Sequence, residues 1–309
     1  MNRLYSFVLP AYKARFFKEA IDSILAQTYK DFELIIVNDA SPEDLDSIVN
    51  SYDDSRIRYY VNEQNIGGKD LVAQWNHCLE YATGEYIILA SDDDVYFPQY
   101  LEKMDALVRK YPNVNVFRPR VQRIDADGNL VHIEGFIQEY TSLLEFSYYR
   151  FCEYIQSGIP FYIIKKETLL ANGGFVSYPL AWYADDAIVA IMAQKGMVSS
   201  SEILFSFRLS GESITTKEND ASTLKKKIEA TNQYYDWFTT FIEAKKTKDK
   251  YAVLYKKSVL EAIPGRRKGQ YDWDLRHSSF SAIWNNKWTI LKDKLVSFRY
   301  LVFLLYKKL

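Results

Sequence analysis

Histidine and cysteine are scarce in this chain. His77, His132 and His277 lie far apart in the sequence, and Cys78 and Cys152 form no metal or redox spacing. That argues against a histidine-based metal centre and a disulfide scaffold, and points to reduced thiols in a cytosolic setting. An excess of one charge is also missing. The 39 basic and 40 acidic side chains leave a net charge of −1, which argues against generic nucleic-acid binding. No stretch of 18 uninterrupted apolar residues occurs, so no clear transmembrane helix is expected. The apolar run after Arg3 is too short for a secretory signal and ends at Pro10. No Gly-x-Gly-x-x-Gly follows the first apolar strand, which speaks against a dinucleotide-dependent dehydrogenase.

What the chain does have is length, aromatics and a regular alternation of patterns. Its 309 residues suffice for a sizeable core with a smaller extension, and 25 tyrosines raise the aromatic share to 16%. Residues 4–9, 33–37, 56–61 and 86–90 read as strands. Between them, Phe16, Phe17, Ala20, Ile21, Ile24 and Leu25 recur at helical spacing. Ser41-Pro42-Glu43-Asp44 opens a second helix with Ser41 as the expected N-cap, and residues 69–82 form a third. Such alternation predicts an α/β domain with a mainly parallel sheet. Further on, helices are expected over 96–109 and from Ala184 towards Gly196, strands over 113–124, 161–164 and 202–208, and a turn at Asp127-Gly128-Asn129. Residues 136–157 have mixed periodicity and remain unplaced. From 222 onward lysines are dense and helical periods dominate, with Pro264-Gly265 the one obvious break. The expected division is 1–220 (1–95 and 96–220 as its halves) followed by a helical extension over 221–309.

One stretch stands out chemically. Tyr86-Ile87-Ile88-Leu89-Ala90-Ser91 runs into Asp92-Asp93-Asp94. Three adjacent carboxylates repel one another unless a cation or water compensates them. In open α/β sheets, ligands bind beyond the carboxyl ends of the strands. Right-handed crossovers would bring Pro10, Asp39 and Asp92 to one rim. A divalent-metal and phosphate site is one reading of the triplet; a solvated acidic turn capping the next helix is the other.

The blocks Phe7-Val8-Leu9-Pro10-Ala11-Tyr12, Ala20 to Tyr29, Phe32 to Ser41, Asn65-x-Gly67, Ala82-Thr83-Gly84-Glu85-Tyr86-Ile87 and the acid triplet together resemble glycosyltransferase family 2. The likeness is continuous over roughly the first hundred residues and thins afterwards. It implies a GT-A fold, a nucleotide-sugar donor, a divalent cation (Mn²⁺ or Mg²⁺) and inversion at the anomeric carbon. By the same resemblance, Asp94 is the expected direct metal ligand. Asp92 approaches the metal waters or the ribose, and Asp93 assists either. Asp39 and the loop Pro10, Ala11 and Tyr12 face the nucleoside. Lys69 reaches the base or a phosphate, or is simply a solvated lysine at a helix start. The motif Trp182-Tyr183-Ala184-Asp185-Asp186 places Asp185 on the family's general-base position, with Ala184 in place of the usual Glu. Asp186 takes that role if the register slips by one. Arg208, which begins Arg-Leu-Ser-Gly-Glu-Ser-Ile-Thr, is a candidate for the diphosphate or for a structural salt bridge. UDP is the default nucleotide, and the acceptor is a glycan or lipid-linked glycan. A sugar nucleotidyltransferase and a non-catalytic nucleotide-sugar-binding scaffold are the competing readings. The first would carry a glycine-rich basic loop after strand one, and the second would have lost its acids.

At the C-terminus, Leu291, Leu295, Phe298, Val302 and Leu305 recur at spacings of four and three among Lys287, Lys292, Lys294, Arg299, Lys307 and Lys308. Residues 286–309 therefore read as one basic amphipathic helix. It would suit the inner face of an anionic membrane or packing on the catalytic domain.

Overall fold

A computed structural model describes residues 4–153, 155–211 and 217–308. Its strands are β1 (Tyr5–Ala11), β2 (Phe32–Asn38), β3 (Ile57–Val61), β4 (Tyr86–Leu89), β5 (Val95–Tyr96), β6 (Val116–Ile124), β7 (Leu130–Ile133), β8 (Tyr140–Thr141), β9 (Ile163–Lys165) and β10 (Met197–Arg208). The helices of the first part are α1 (Phe17–Leu25), α2 (Leu45–Asn50), α3 (Leu71–Leu79), α4 (Tyr100–Lys110), α5 (Leu143–Cys152), α6 (Lys166–Ala171) and α7 (Ala184–Met192). Those of the second are α8 (Ala221–Glu243), α9 (Lys250–Arg276), α10 (Phe280–Lys292) and α11 (Phe298–Tyr306).

The strands form one sheet in the order β3-β2-β1-β4-β9-β6-β10-β5, with β7 on β6 and β8 on β10. The first four run parallel. β1, β2 and β4 are mostly apolar and buried on both faces, β2 along its whole length, while β3 at the edge is only half-buried. Beyond β4 the sheet is mixed: β9 runs antiparallel to both β4 and β6, and β5 antiparallel to β10. The mainly parallel expectation thus holds for the first half only.

The sheet order reverses direction between β1 and β4. Chain growth goes outward from β1 through β2 to β3, then returns to β1's other side, which opens a crevice at the carboxyl ends of β1 and β4. Gly84 enables this return. A Cβ there would lie 2.7–2.8 Å from Ser6 Oγ, Ser6 N and Tyr5 C, so only glycine lets the start of β4 approach β1.

Several local expectations change. Ser41 does not cap α2; Asp44 does, accepting from Ser47 N at 3.0 Å, while Ser41 Oγ bonds to Tyr12 O at 2.6 Å. The helix expected from Tyr96 starts at Tyr100, because Val95 and Tyr96 pair with Ser206 and Phe205 of β10. Pro264 does not break the helical region: α9 runs through it. The turns on either side bury Val259, Ile263, Tyr271 and Leu275, and this packing offsets the lost backbone bond. Pro264 itself is exposed, so Pro264→Ala restores a helical N–H without disturbing a packed side chain. We expect it to raise stability by about 1–3 kcal/mol in urea unfolding; an unchanged or lower midpoint would mean that the proline ring is needed for the helix path.

Residues 286–309 are not one helix. The chain leaves α10 after Lys292, passes Lys294 at φ 57°, and re-enters helix at Phe298. The predicted apolar stripe is split by this break. Val296, Leu301 and Leu304 pack inward with Leu224, Ile228, Tyr271 and Leu275, whereas Phe298 and Val302 stay exposed. The helical extension is also not separate from the sheet domain. Ala230, Tyr234, Phe238 and Ile242 of α8 and Val259 and Ile263 of α9 belong to the main core. Many of the tyrosines serve that interior: Tyr5, Tyr96, Tyr100, Tyr162 and Tyr234 are fully buried.

Candidate active site

The carboxyl ends of β1, β2 and β4 meet through their side chains. Asp92 Oδ2 accepts the amides of Tyr12 at 3.1 Å and Lys13 at 2.9 Å, which pins the loop after β1 to the end of β4. Pro10 is the penultimate residue of β1, where the β4 ladder has already ended at Leu89, so its missing N–H leaves no gap on that side. Tyr12 projects, 39% exposed, with a ring free to meet a ligand. At the end of β2, the Asp39 carboxylate is largely used within the protein. Oδ1 accepts Asn62 Nδ2 and Ile66 N at 2.8 Å, and Oδ2 accepts Gly67 N at 2.7 Å. Gly67 is required there, since a Cβ would sit 2.8 Å from Asp39 Oδ2. Asp39 therefore shapes the 62–68 loop, and Oδ2 keeps one acceptor position for a ligand. Lys69 is exposed, and among the described residues its Nζ donates only to Gln64 Oε1, at 3.4 Å.

The three acids are not equivalent. Asp94 is completely buried; its Oδ1 accepts Arg208 N at 2.8 Å and its Oδ2 is enclosed without a donor. Burial, with Asp93 and Asp92 beside it, holds its carboxyl well above the usual range, against the opposing Arg208 amide and charge. The enclosed, orphaned Asp94 Oδ2 has the chemistry of a cation ligand, which fits the direct-ligand role expected of it. The accessible carboxylates are Asp92 and Asp93, both half-buried. Burial also raises Asp92, against the amides of Lys13 and Tyr12. Asp93 Oδ1 accepts Ser91 Oγ at 2.5 Å. Among the described residues, Asp92 Oδ1 and Asp93 Oδ2 accept no hydrogen bond, and no three His, Cys, Asp or Glu side chains gather into a ready-made metal cluster.

Arg208 is used inside the fold. Its Nε donates to Asp93 O at 2.8 Å and its Nη1 to Ala126 O at 3.3 Å. Nη2 pairs with Glu19 at 2.7 Å, and the guanidinium lies 4.5 Å from the centre of the Phe16 ring. Of the two expected roles, the geometry matches the structural salt bridge. Arg208 and Asp94 together lock the acid loop onto the end of β10. The segment after it, Glu212 to Thr215, lies outside the described residues.

Asp185 and Asp186 follow one another in the first turn of α7 and have different surroundings. Asp186 is clamped by Arg150, with Nε to Oδ1 at 2.7 Å and Nη2 to Oδ2 at 2.9 Å. Asp185 has no such partner. Burial first, and then the Asp186 charge, push its carboxyl up to about 6, with Arg150 and the Ser157 hydroxyl opposing. Ile88 pairs with Ile163 in an antiparallel ladder, so the end of β4 and the start of β9 share one rim. Residues 157–162 lead into β9, and Tyr96 Oη donates to Pro160 O at 3.2 Å. The Ser157 hydroxyl, which acts on the Asp185 carboxyl, lies at the start of that segment. The approach to α7 is strained, with positive φ at Leu180, Ala181 and Tyr183. Such conformations cluster at functional sites. Trp182 has Lys227 Nζ 4.3 Å from its ring centre, so one of its faces is covered.

Arg150 was not foreseen from the sequence. It lies 36 positions from Asp186 in the unplaced region, and no spacing signals their pairing. Asn62 and Ser157 were missed for the same reason.

The model of the family described as Glycosyl transferase family 2 matches residues 6–184. The chain belongs to glycosyltransferase family 2. Among curated relatives of this family-2 chain, the putative glycosyltransferase EpsE of Bacillus subtilis is 42% identical over 101 residues, 32% of this chain and 35% of EpsE. The Escherichia coli protein named UDP-Glc:alpha-D-GlcNAc-diphosphoundecaprenol beta-1,3-glucosyltransferase WfgD is 32% identical over 108 residues, 35% of this chain and 42% of WfgD. The alignments thus span well under half of these relatives' length. In three dimensions, Staphylococcus aureus TarS 1–349 in complex with UDP-GlcNAc superposes with a TM-score of 0.56 at 16% identity, covering 93% of this chain and 91% of that one. The mannosyltransferase PcManGT of Pyrobaculum calidifontis, in complex with GDP-Man and Mn²⁺, gives 0.53 at 16% identity, covering 92% and 75%. The family-2 glycosyltransferase described here thus has the GT-A fold, with a helical C-terminal region added to it.

Proposed function

We propose that this chain transfers a sugar from a nucleotide-sugar donor to a glycan hydroxyl, with inversion, and that Asp185 is the general base. The observation that carries the reading is the pairing of Ile88 with Ile163. It brings residues 157–162, whose Ser157 hydroxyl acts on Asp185, towards the end of β4, and together with the Arg150 clamp on Asp186 it supports Asp185 as the base. The donor's nucleoside lies against Pro10, Ala11, Tyr12 and the loop organised by Asp39, with Lys69 at its margin. UDP is the favoured nucleotide, in keeping with the UDP-Glc in WfgD's name. The orphaned Asp94 Oδ2 and Asp92 Oδ1, with Asp93 Oδ2 beside them, suit Mn²⁺ or Mg²⁺, hard cations that need only one or two carboxylates and complete their shell with water and phosphate. The ion supplies neutralisation of the charge that develops on the leaving diphosphate.

The chain's own part is to hold and deprotonate. Asp185 takes the proton of the acceptor hydroxyl. That oxygen forms the new bond to the anomeric carbon, and the bond from that carbon to the diphosphate oxygen breaks. A base raised to about 6 is ionised above that pH and protonated below it. We therefore expect kcat to fall about tenfold per pH unit below about pH 6. A profile that stays flat down to about pH 4.5 would rule Asp185 out as the base.

The acceptor is proposed to be a glycan or lipid-linked glycan of cell-surface polysaccharide synthesis; WfgD's name gives that protein a lipid-linked acceptor, GlcNAc-diphosphoundecaprenol. Peripheral contact of residues 286–309 with an anionic membrane fits such an acceptor. Trp288 (73% exposed), Phe298 (67%) and Tyr306 (76%) stand out from α10 and α11 beside Lys287 and Arg299. No helix among the described residues is long and apolar enough to cross a membrane.

The donor reading is tested by thermal shift with UDP-glucose, UDP-GlcNAc and GDP-mannose, each with Mn²⁺ and with EDTA. A ligand at about 100 times its Kd stabilises the native state by about 2.7 kcal/mol. We expect a metal-dependent rise with at least one donor, lost in Asp93→Ala. No rise with any donor would sink the reading.

A further inference from the structure

The tip where α8 turns into α9 has an electrostatic character that sugar transfer does not use. Residues 245–261 carry Lys245, Lys246, Lys248, Lys250, Lys256 and Lys257 against only Asp249 and Glu261, in a chain whose net charge is −1. Two of these lysines hold the turn together. Lys256 Nζ donates to Glu243 O at 2.6 Å and Lys245 O at 2.9 Å, tying down the end of α8. Lys245 Nζ donates to Gln194 Oε1 at 2.7 Å and lies 3.9 Å from the centre of the Phe241 ring. The other four, Lys246, Lys248, Lys250 and Lys257, are exposed.

Their position is unfavourable for the helix they adjoin. The first turn of α9 contains no acid, although a helix N-terminus favours negative charge. Asp249 acts as the N-cap through Ala252 N, at 2.8 Å, but Lys248 and Lys250 flank it with the opposite sign. Apolar side chains are exposed in the same turn: Tyr251 at 59%, Val253 at 49% and Leu254 at 56%. Beside them is a groove of about 680 Å³ lined by Lys245, Lys246, Val253, Lys256, Lys257 and Leu260, with Thr247 and Glu261. Excess lysine and uncovered apolar side chains both disfavour an isolated, solvated helix start. Together they match one kind of partner, a surface with anions above an apolar layer.

We infer that the α8–α9 tip is a membrane-docking element that seats on an anionic bilayer, with Tyr251, Val253 and Leu254 entering the interface and the exposed lysines contacting lipid phosphates. The element is separate from the surface of α10 and α11. Those helices pack on Tyr271 and Leu275 near the far end of α9, about 30 Å from Lys250 at 1.5 Å rise per residue. The inference goes beyond the proposed sugar transfer and does not depend on it.

The test is co-sedimentation of the full chain with vesicles of phosphatidylcholine alone and of phosphatidylcholine with phosphatidylglycerol. We expect binding only to the anionic vesicles, weakened by salt. The variant Lys246→Glu/Lys248→Glu/Lys250→Glu/Lys257→Glu should lose at least about tenfold in vesicle affinity. The variant Tyr251→Ser/Val253→Ser/Leu254→Ser should also lose affinity while keeping all its lysines. A third variant, Phe298→Ser/Val302→Ser/Tyr306→Ser, reads the separate α10–α11 surface and should lose less affinity than either tip variant. Donor-induced thermal shifts measured on the same proteins should be unchanged, which separates this inference from the catalytic one. The tip is overturned if wild type ignores the anionic vesicles, or if only the third variant loses binding. It is likewise overturned if soluble polyphosphate displaces the protein while the apolar tip variant binds vesicles normally, since that pattern marks a polyanion site and not a bilayer site.

Discussion

Asp185→Asn is expected to lower kcat by about 10²–10⁴-fold, the usual contribution of a positioned general base. Donor binding, read as a thermal shift with nucleotide-sugar and Mn²⁺, should persist, because Asp185 touches neither the β1 loop nor Asp92 and Asp93 in the hydrogen-bond pattern. The neighbouring Asp186→Asn should behave differently. It removes the charge that faces Arg150 at 2.7 and 2.9 Å and leaves a largely enclosed guanidinium without its partner. Because Arg150 keeps some solvent contact, the expected loss is about 2–3 kcal/mol, below the range for a fully buried pair. Stability should therefore separate the two acids as clearly as turnover does. If Asp186→Asn is as stable as wild type and inactive, and Asp185→Asn keeps its activity, the base is Asp186.

Arg208→Met is expected to destabilise the protein by about 3 kcal/mol or more. Methionine fills much of the volume but donates nothing to Asp93 O and Ala126 O, and Glu19 loses its 2.7 Å partner. The loop that carries Asp92 and Asp93 then loses its clamp to β10, so donor affinity should fall together with the urea midpoint. The coupling of the two is the informative result. Lost donor binding at unchanged stability would return Arg208 to the diphosphate role that the sequence also allowed.

The first hundred residues were legible because their signals are local. The alternation of apolar runs and helical faces, the Ser-Pro-Glu-Asp and Thr-Gly punctuation, and an acid cluster at a strand end each lie within a short window. Even there, helix starts moved by one to four residues, as at Asp44 and Tyr100, because a single cap or strand pair decides them. Pro264 was misread for another reason. A proline's local cost is visible in the sequence, but the packing of Ile263 and Tyr271 that outweighs it is not. The C-terminal stripe shows the same limit. Its spacing of four and three is real, yet Lys294 breaks the helix and turns Leu301 and Leu304 inward.

By itself the sequence determined the α/β class, the family, and the set of acids from which the site is built. Residue type and spacing are sufficient for that, since periodicity sets the elements and the strand ends set where polar groups collect. Only the tertiary structure set the surroundings that tell these acids apart. Asp92, Asp93 and Asp94 are alike in the sequence, and so are Asp185 and Asp186. A carboxylate's availability depends on what lies within a few ångströms of it, and Arg208 and Arg150 arrive from 114 and 36 residues away. These contacts enclose Asp94 and engage Asp186, and they leave Asp93 and Asp185 without an arginine clamp on their carboxylates.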